Sequence, residues 1–162
     1  MNLENAHTAE IDPKSSNLVI DIMPDQKRKI SEGNYGGSMR LGLYKAKLLK
    51  DSIAYAAYNS AVTPPEIRGS KKTAKQSAIT NIDERHRHRY EVNPKYIKQF
   101  EKSGLIFSGK SPDGTLMEIA ELPKERHPFF LGTQFHPEFM ARPLSPHPLF
   151  TAFIEAAKKK SS

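Results

Sequence analysis

Two residues near the C-terminal end of the chain, His136 and Glu138, have the types and spacing needed for proton-transfer chemistry. They follow an apolar run, 129–135, that the sequence predicts as a strand. Because side chains alternate between faces in an extended segment, both should project to the same side, while Pro137 fixes the backbone between them. A carboxylate beside an imidazole can hold one tautomer and stabilise the imidazolium, which is the orienting role in a nucleophile, base and acid triad. An ordinary polar pair at a strand end is the alternative interpretation.

The chain itself supplies no thiol nucleophile to complete such a triad. It contains no cysteine among its 162 residues, which excludes disulfides, zinc thiolate sites and thiol catalysis from within the chain. A thiol supplied by a partner is not excluded. A metal site built on His136 and Glu138 would need a third ligand that the sequence does not identify, so we predict no metal.

The composition is that of one soluble domain, 1–162, with a net charge of +7 and a mean hydropathy of −0.62. No apolar run approaches the roughly 18 residues needed to cross a bilayer. The N-terminus has no basic start followed by an apolar region, so we expect a cytoplasmic protein without membrane contact. Basic residues cluster at 27–29, 68–75 and 158–160. Two of these clusters lie in turn-rich or terminal segments, where a charge run is usually solvated, and we predict no nucleic-acid partner.

The segment 84–92 is predicted as one strand with a regular alternation of charge. One face of this strand would carry Arg85, Arg87 and Arg89. The opposite face would carry the rings of His86, His88 and Tyr90. Like charges on one strand face repel each other, so the pattern favours contact with an anionic substrate or with another domain. A solvated face and, less favoured, a nucleic-acid surface are the alternatives.

The other elements that would position these residues give a mixed α/β chain. Strands are predicted at 17–23, 39–49, 105–108 and 116–122, and helices at 53–58, from Pro94 to Gly104, and at 148–160. Ser52 is a candidate N-cap for the first helix, and Pro94 suits the first position of the second. Residues 61–78 carry prolines, a glycine and basic side chains, which indicates a surface-loop insertion. Residues 158–162 form a basic tail.

The segment Thr133–Phe139, with the sequence TQFHPEF, resembles the triad segment of the class I glutamine amidotransferases. In that family a cysteine thiolate attacks the amide of glutamine, and a histidine and a glutamate complete the triad. The resemblance therefore implies that His136 is the general base and that Glu138 is its orienting partner. Many members of the class share this short motif.

Further segments resemble one member family, the CTP synthases, in order and approximate spacing. They are GGSMRLG at 36–42, ERHRHRYEVN at 84–93, and the stretch from His127 through Phe139 followed by 142–143. The resemblance covers the chain apart from the 61–78 insertion and the basic tail, and residues 2–10 resemble the stretch that follows the nucleophile elbow. It implies the C-terminal part of a glutaminase domain. The fold expected is a flavodoxin-like sheet with flanking helices whose N-terminal part, with the elbow, is missing.

The same resemblance implies roles for residues outside the histidine–glutamate pair. Glu10 corresponds to a glutamate that contacts the substrate glutamine, and a carboxylate there suits its ammonium group. Arg89 corresponds to the arginine that binds glutamine, where a guanidinium can clamp the α-carboxylate through two hydrogen bonds. Tyr90 lies beside it in the same motif. Ser38 and Arg40 belong to the loop implicated in GTP activation and in coupling the two reactions, and Arg40 would be available to an anionic partner.

The reaction implied by the resemblance has two halves. Glutamine is hydrolysed to glutamate and ammonia, and a synthetase domain uses the ammonia with ATP and magnesium to convert UTP to CTP, with GTP as activator. No cofactor is expected on this chain, and the family is homotetrameric. Without the cysteine, the chain alone is predicted to be inactive. The alternatives are a non-catalytic interaction or regulatory module and one half of a split enzyme.

Overall fold

The computed structural model describes residues 2–22, 39–60 and 77–160. The strands are β1 (Ala6–Thr8), β2 (Asn17–Ile22), β3 (Arg40–Leu48), β4 (Asn81–His88), β5 (Tyr90–Val92), β6 (Ile106–Lys110), β7 (Met117–Glu121) and β8 (Leu131–Thr133). The helices are α1 (Ile53–Ser60), α2 (Pro94–Lys102) and α3 (Pro148–Lys160), with a 3-10 turn at Pro137–Phe139. The predicted strands at 17–23, 39–49, 105–108 and 116–122 are confirmed with small shifts at their ends.

The strands form two sheets, so the predicted mixed α/β class is confirmed. The smaller sheet has the order β1-β2-β5, in which β1 and β2 are parallel and β2 and β5 antiparallel. The larger sheet has the order β4-β3-β6-β7-β8 and is antiparallel throughout. Among the described strands only β1 and β2 form a parallel pair, and they belong to the sheet that Tyr90 enters at the start of β5.

The prediction of one continuous strand over 84–92 is wrong. The chain pairs with β3 as far as His88, which lies opposite Arg40. It then bends at Arg89 and enters the other sheet, where Tyr90 lies opposite Ile22. Because the two halves pair with different sheets, Arg89 does not continue the arginine stripe of β4. The predicted alternation holds within β4, since His86 is buried while Arg85 and Arg87 are exposed.

The main hydrophobic core lies between the larger sheet and helices α1 and α3. Its buried members are Ala46, Leu48, Ala54, Ala57, Tyr58, Ile82, Ile119, Phe135 and Leu149. One glycine is required by this packing. A Cβ on Gly109 would lie 2.6 Å from Ile119 Cγ1, closer than real Cβ contacts allow. The core therefore brings β6 and β7 together at a position without a side chain.

The predicted helix boundaries follow from local capping. Ser52 Oγ accepts a hydrogen bond from the Tyr55 N–H at 3.0 Å, which confirms the N-cap of α1. Asn93 Oδ1 accepts from the Lys95 N–H at 3.1 Å and caps α2, with Pro94 in the first turn. Gly104, predicted to stop α2, has φ +91, a backbone conformation that suits glycine.

Helix α3 has the predicted bounds, but most of its large apolar side chains are exposed. Leu149 is buried, whereas Phe150, Phe153 and Ile154 are 43%, 52% and 51% exposed. The part of α3 beyond its first turn therefore leaves most of its large apolar side chains on the surface of the described structure. No helix in the described ranges is long and apolar enough to cross a membrane.

Several sequence predictions concern residues outside the described ranges. Most of the predicted insertion, 61–76, is among them, and its last two residues, Ser77 and Ala78, are exposed and belong to no helix or strand. The glycine-rich segment up to Ser38 also lies outside the described residues. Of the basic tail, 158–160 form the end of α3.

Candidate functional site

The segment that carries the predicted base, 134–136, leaves the sheet just after β8. The Gln134 N–H donates to the Glu118 carbonyl at 2.9 Å, and Phe135 is buried in the core. The predicted strand to Phe135 is therefore too long, and Glu138 lies in the 3-10 turn rather than in an extended segment. His136 keeps an extended backbone with φ −108 and ψ 92.

The structure brings His136 and Glu138 into contact through this turn. His136 Nδ1 lies 2.7 Å from Glu138 Oε1. The imidazole also stacks on the Phe139 ring, with centroids 4.8 Å apart and planes 18° apart. The His136 N–H donates to the Arg85 carbonyl at 2.9 Å, which fixes the segment to β4. Strand alternation is not the reason for the pairing, although the pairing itself is as expected.

This contact assigns the two ring nitrogens different tasks. A carboxylate only accepts hydrogen bonds, so His136 Nδ1 donates to Glu138 and Nε2 is the atom that can take up or release a proton. The hydrogen bond from His136 lowers the pKa of Glu138 below its ordinary value. Glu138 therefore stays charged at neutral pH and can stabilise an imidazolium beside it. The His136 and Glu138 side chains are 39% and 55% exposed, which leaves the pair open to a substrate.

The three residues assigned to glutamine binding lie at one end of the smaller sheet. Strands β1 and β2 are parallel and end there, and β5 begins there. Glu10 follows β1 in an exposed turn, and its N–H donates to Thr8 Oγ1 at 3.3 Å. Arg89 and Tyr90 occupy the bend and the first residue of β5. The topology thus places an acidic and a basic residue at the same end of this sheet, on either side of β2.

Gln134, which has no role in the sequence-based predictions, connects the start of β5 to the histidine segment. Its Nε2 donates to the Tyr90 carbonyl at 2.6 Å and to Glu91 Oε2 at 3.0 Å. The signal available in the sequence was its place two residues before His136, on the same face of an extended segment. The partner could not be read from sequence, because it is 44 positions away along the chain.

The expectation that Arg40 is available to an anionic partner is wrong. It is only 8% exposed, and its guanidinium pairs with Glu91 at 3.2 Å and Glu118 at 2.9 Å. It also lies 4.5 Å from the centroid of the Tyr44 ring. Both carboxylates belong to this chain, so the structure uses the charge internally. Ser38, its predicted partner in the coupling loop, lies outside the described residues.

Two histidines of β4 complete the buried polar cluster around Arg40. His86 Nδ1 lies 2.9 Å from His88 Nε2, and His88 Nδ1 lies 3.2 Å from the Tyr90 carbonyl. Burial, reinforced by the Arg40 charge, lowers the pKa of His86 to about 3 and that of His88 to about 4. Both rings are therefore neutral at physiological pH and serve as hydrogen-bonding groups rather than charges.

A second buried polar cluster joins β4 to the helices. Tyr58 donates to Glu84 Oε1 at 2.6 Å, and His147 Nε2 lies 2.9 Å from the same oxygen. The Leu149 N–H lies 3.3 Å from His147 Nδ1, so Nε2 carries the proton that goes to Glu84. Burial raises the pKa of Tyr58. These are acid–base residue types, but all three are enclosed in the core, and their contacts join α1, β4 and the start of α3.

Two open grooves mark the described surface. One, of about 690 Å³, lies beside the 3-10 turn and is lined by Arg85, Arg87, Arg142, Leu41, Phe139 and Met140 among others. The other, of about 650 Å³, lies at the opposite end of β3, between Lys47 and Lys110. Within the described ranges, no group of three or more acidic or histidine side chains is placed to hold a metal ion.

Comparisons with known proteins match this chain over most of its length. Residues 16–156 match the family described as glutamine amidotransferase class-I. The chain is 46% identical over 161 residues to the CTP synthase of Bacillus pumilus, covering 99% of this chain and 26% of that protein. It is 47% identical over 158 residues to the CTP synthase of Mycobacterium tuberculosis, covering 97% of this chain and 24% of that protein. The chain thus spans about a quarter of the length of these curated relatives.

A solved structure shows the same fold. The glutaminase domain of Trypanosoma brucei CTPS with bound acivicin superposes with a TM-score of 0.77 at 31% sequence identity. The match covers 98% of this chain and 52% of that domain's chain. The predicted relation to an amidotransferase glutaminase domain is therefore confirmed at the level of both sequence and fold.

Proposed function

The chain belongs to the class I glutamine amidotransferases, and on that premise we propose that it supplies the base and the substrate-binding groups of a glutaminase coupled to CTP synthesis. The observation that carries the proposal is the contact of 2.7 Å between His136 Nδ1 and Glu138 Oε1. The identity of 46% to a CTP synthase supports the choice of that member family.

His136 is the general base and acid of the proposed glutaminase step. Its Nε2 accepts the proton of a cysteine thiol as the sulfur attacks the amide carbon of L-glutamine, and it returns that proton to the departing ammonia. It then takes a proton from the water that cleaves the thioester, which releases glutamate and restores the thiol. Because these 162 residues contain no cysteine, the thiol comes from polypeptide outside them.

Glu138 holds His136 in the productive orientation during this cycle. Its carboxylate keeps the proton on Nδ1, so that Nε2 faces the reaction, and it stabilises the imidazolium. Arg89 clamps the α-carboxylate of glutamine, Glu10 receives its ammonium group, and Tyr90 lines the same site. The shared position of these residues at one end of the smaller sheet supports this assignment.

The ammonia is consumed in a synthetase domain that aminates UTP with ATP and magnesium. Ser38 and Arg40 are proposed to belong to the GTP-responsive coupling segment. The paired, buried state of Arg40 means that it acts by shaping this segment rather than by direct contact with an anion. We further propose a cytoplasmic homotetramer as the working assembly.

The first test measures ammonia release from L-glutamine by the purified 162-residue chain. We expect no release above that of a His136→Ala variant, because the members of a triad act as a unit and the thiol is missing. Release by the wild type that His136→Ala abolishes would overturn the dependence on an external thiol.

A chimera tests the positive half of the proposal. This chain replaces the matching segment of the Bacillus pumilus CTP synthase, and CTP formation from UTP is measured with either glutamine or ammonia as nitrogen source. We expect both activities, with His136→Ala removing the glutamine-dependent one by at least about 1,000-fold and sparing the ammonia-dependent one. A chimera that uses ammonia but not glutamine would favour a non-catalytic module. The coding sequence upstream of Met1 then separates a split enzyme from a module, because a split enzyme requires a cysteine-bearing partner gene.

A further inference from the structure

We propose that Gln134 is a positioning residue that holds the glutamine-binding bend at Arg89 and the base His136 in one fixed register. The inference deepens the proposed function and rests on it. The proposal is based on the position of the Gln134 side-chain amide. This amide contacts Tyr90 at the end of the bend, and Gln134 lies two residues before His136 in the chain.

The segment 134–136 is fastened to 85–91 at both of its ends. At one end, Gln134 Nε2 donates to the Tyr90 carbonyl at 2.6 Å and to Glu91 Oε2 at 3.0 Å. At the other end, the His136 N–H donates to the Arg85 carbonyl at 2.9 Å. Phe135, between them, is 2% exposed and anchored in the core. The base therefore has few ways to move without breaking one of these contacts.

The bend itself is held by two donors at one carbonyl. The Tyr90 carbonyl only accepts, so His88 Nδ1, at 3.2 Å, donates to it alongside Gln134. His88 Nε2 then accepts from His86 Nδ1 at 2.9 Å, which fixes both tautomers. Arg89 lies between His88 and Tyr90, so its backbone direction is set by groups on either side. A guanidinium that binds a carboxylate through two hydrogen bonds needs a fixed backbone, because a small displacement of the side chain weakens substrate positioning.

The contact requires a hydrogen-bond donor at position 134, because both of its partners are acceptors. Glu91 is already paired with Arg40 at 3.2 Å, and the Gln134 amide adds a second donor without adding charge. A glutamate at 134 would face Glu91 and offer no donor at neutral pH. A methionine would keep the length of the side chain and lose both hydrogen bonds.

The competing interpretation is that Gln134 only adds stability by joining the two sheets. Asn59 provides a matched control, because its amide also bridges two segments away from the site. Asn59 Nδ2 donates to the Tyr55 and Ile79 carbonyls at 2.9 and 3.1 Å, and Oδ1 accepts from the Ile79 N–H at 2.9 Å. Asn59→Leu thus removes a comparable bridge without touching the bend or the base.

The experiment compares amide hydrogen exchange by NMR in four forms of the 162-residue chain. They are the wild type, Gln134→Met, Gln134→Lys and Asn59→Leu. We expect the His136 N–H to exchange at least about tenfold faster in Gln134→Met and at the wild-type rate in Asn59→Leu. Gln134→Lys restores a donor of similar reach to Tyr90 and Glu91, so it should recover most of the protection. The Gln134 N–H, bonded to Glu118, reports on β8 and should change little.

A titration with L-glutamine, followed at the Arg89 signals, adds a functional readout. We expect Gln134→Met to weaken glutamine binding by about tenfold and Asn59→Leu to leave it unchanged. Wild-type chain that shows no change with glutamine would count against the proposed substrate site, while the exchange of the His136 N–H still decides the role of Gln134. Equal exchange in Gln134→Met and Asn59→Leu would overturn the proposal. So would a Gln134→Met protein in which all protected amides exchange together, since that result would make the contact purely structural.

Discussion

At the scale of single residues, the contact between His136 and Glu138 serves orientation more than stability. Both side chains are substantially exposed, and an exposed ion pair contributes at most about 1 kcal/mol to folding. The same exposure is what a reacting pair requires, since a substrate must reach the imidazole. The stacked Phe139 ring restricts the plane of the imidazole from one side.

The titration of Glu138 tests this pair directly. The hydrogen bond from His136 lowers the pKa of Glu138 below 4.5, so the contact should persist at higher pH and be lost as the pH falls through the lowered value. In His136→Ala the midpoint should rise toward 4.5. Carboxyl carbon NMR across pH 2 to 7 measures both midpoints, and an identical midpoint in the two proteins would show that the hydrogen bond is not formed.

Residue types predicted this pair, whereas they could not predict the environment of Arg40. His136 and Glu138 are two positions apart, so a single local turn is enough to bring them into contact. The partners of Arg40 are Glu91 and Glu118, which are 51 and 78 positions away. An arginine in a glycine-rich segment looks solvated in sequence, and only the pairing of strands buries it. The environment of Arg40 therefore depends on long-range strand pairing, which local sequence patterns do not encode.

At the scale of secondary structure, helix α1 depends on a strand that follows it by about 60 positions. It has only 8 residues and no acidic side chain in its first turn. A helix this short is marginal by itself. Glu121 of β7 supplies the missing charge, since its carboxylate accepts from the Ile53 and Ala54 N–H groups at 2.7 and 3.1 Å. Ser108 Oγ donates to the same carboxylate at 2.8 Å, which ties β6 to this cap.

Replacing Glu121 should therefore destabilise the protein much more than replacing the local cap. Glu121→Ala leaves two helix N–H groups and a serine hydroxyl buried without a partner, so we expect a loss of about 3 kcal/mol or more. Ser52→Ala should cost about 1 kcal/mol. Glu125→Ala, at an exposed position, should stay within about 0.5 kcal/mol of the wild type. Urea unfolding measures all three, and a Glu121→Ala protein as stable as Glu125→Ala would refute the capping role.

Elements with local signals were predicted, and those defined by distant partners were not. Ser52 and Pro94 mark helix starts through contacts with their own neighbours, and both starts are confirmed. The break at Arg89 has no local breaker, because no glycine or proline stands there. The break occurs because β4 and β5 pair with strands of different sheets. Likewise, the bounds of α3 were predicted, but the sequence does not show that Leu149 is the only one of its large apolar side chains that is buried.

At the scale of the whole molecule, a buried charged cluster joins the two sheets. Arg40 and Glu118 lie in the larger sheet, and Glu91 lies in the smaller one. Such a cluster gives little net stability, because desolvation offsets most of the attraction, but removing one member leaves a buried charge. The cluster thus selects one arrangement of the sheets, and with it the distance between the bend at Arg89 and His136, the proposed base.

The neutral histidines in this cluster make the stability of the whole chain depend on pH. His86 and His88 have pKa values of about 3 and about 4 in the folded protein, against 6.5 for an ordinary histidine. As the pH falls below 6.5, the unfolded chain binds protons at these positions while the folded chain does not. The free energy of unfolding should therefore decrease on acidification from pH 6.5, by up to about 1.4 kcal/mol per pH unit for each histidine. Nearer pH 4.5 the buried carboxylates Glu91 and Glu118 oppose this trend, because burial raises their pKa.

Comparing variants separates the histidines from the carboxylates. Urea unfolding between pH 7.0 and 5.0 should show a steep slope for the wild type and a shallower one for His88→Gln, because that variant binds one proton fewer on unfolding. His127→Gln removes an exposed imidazole and should keep the wild-type slope. If His88→Gln retains the full slope, His88 is protonated in the folded state. Its Nε2 would then carry a proton and could not accept a hydrogen bond from His86. The chain of hydrogen bonds from His86 through His88 to the Tyr90 carbonyl, which fixes the backbone beside Arg89, would not be formed.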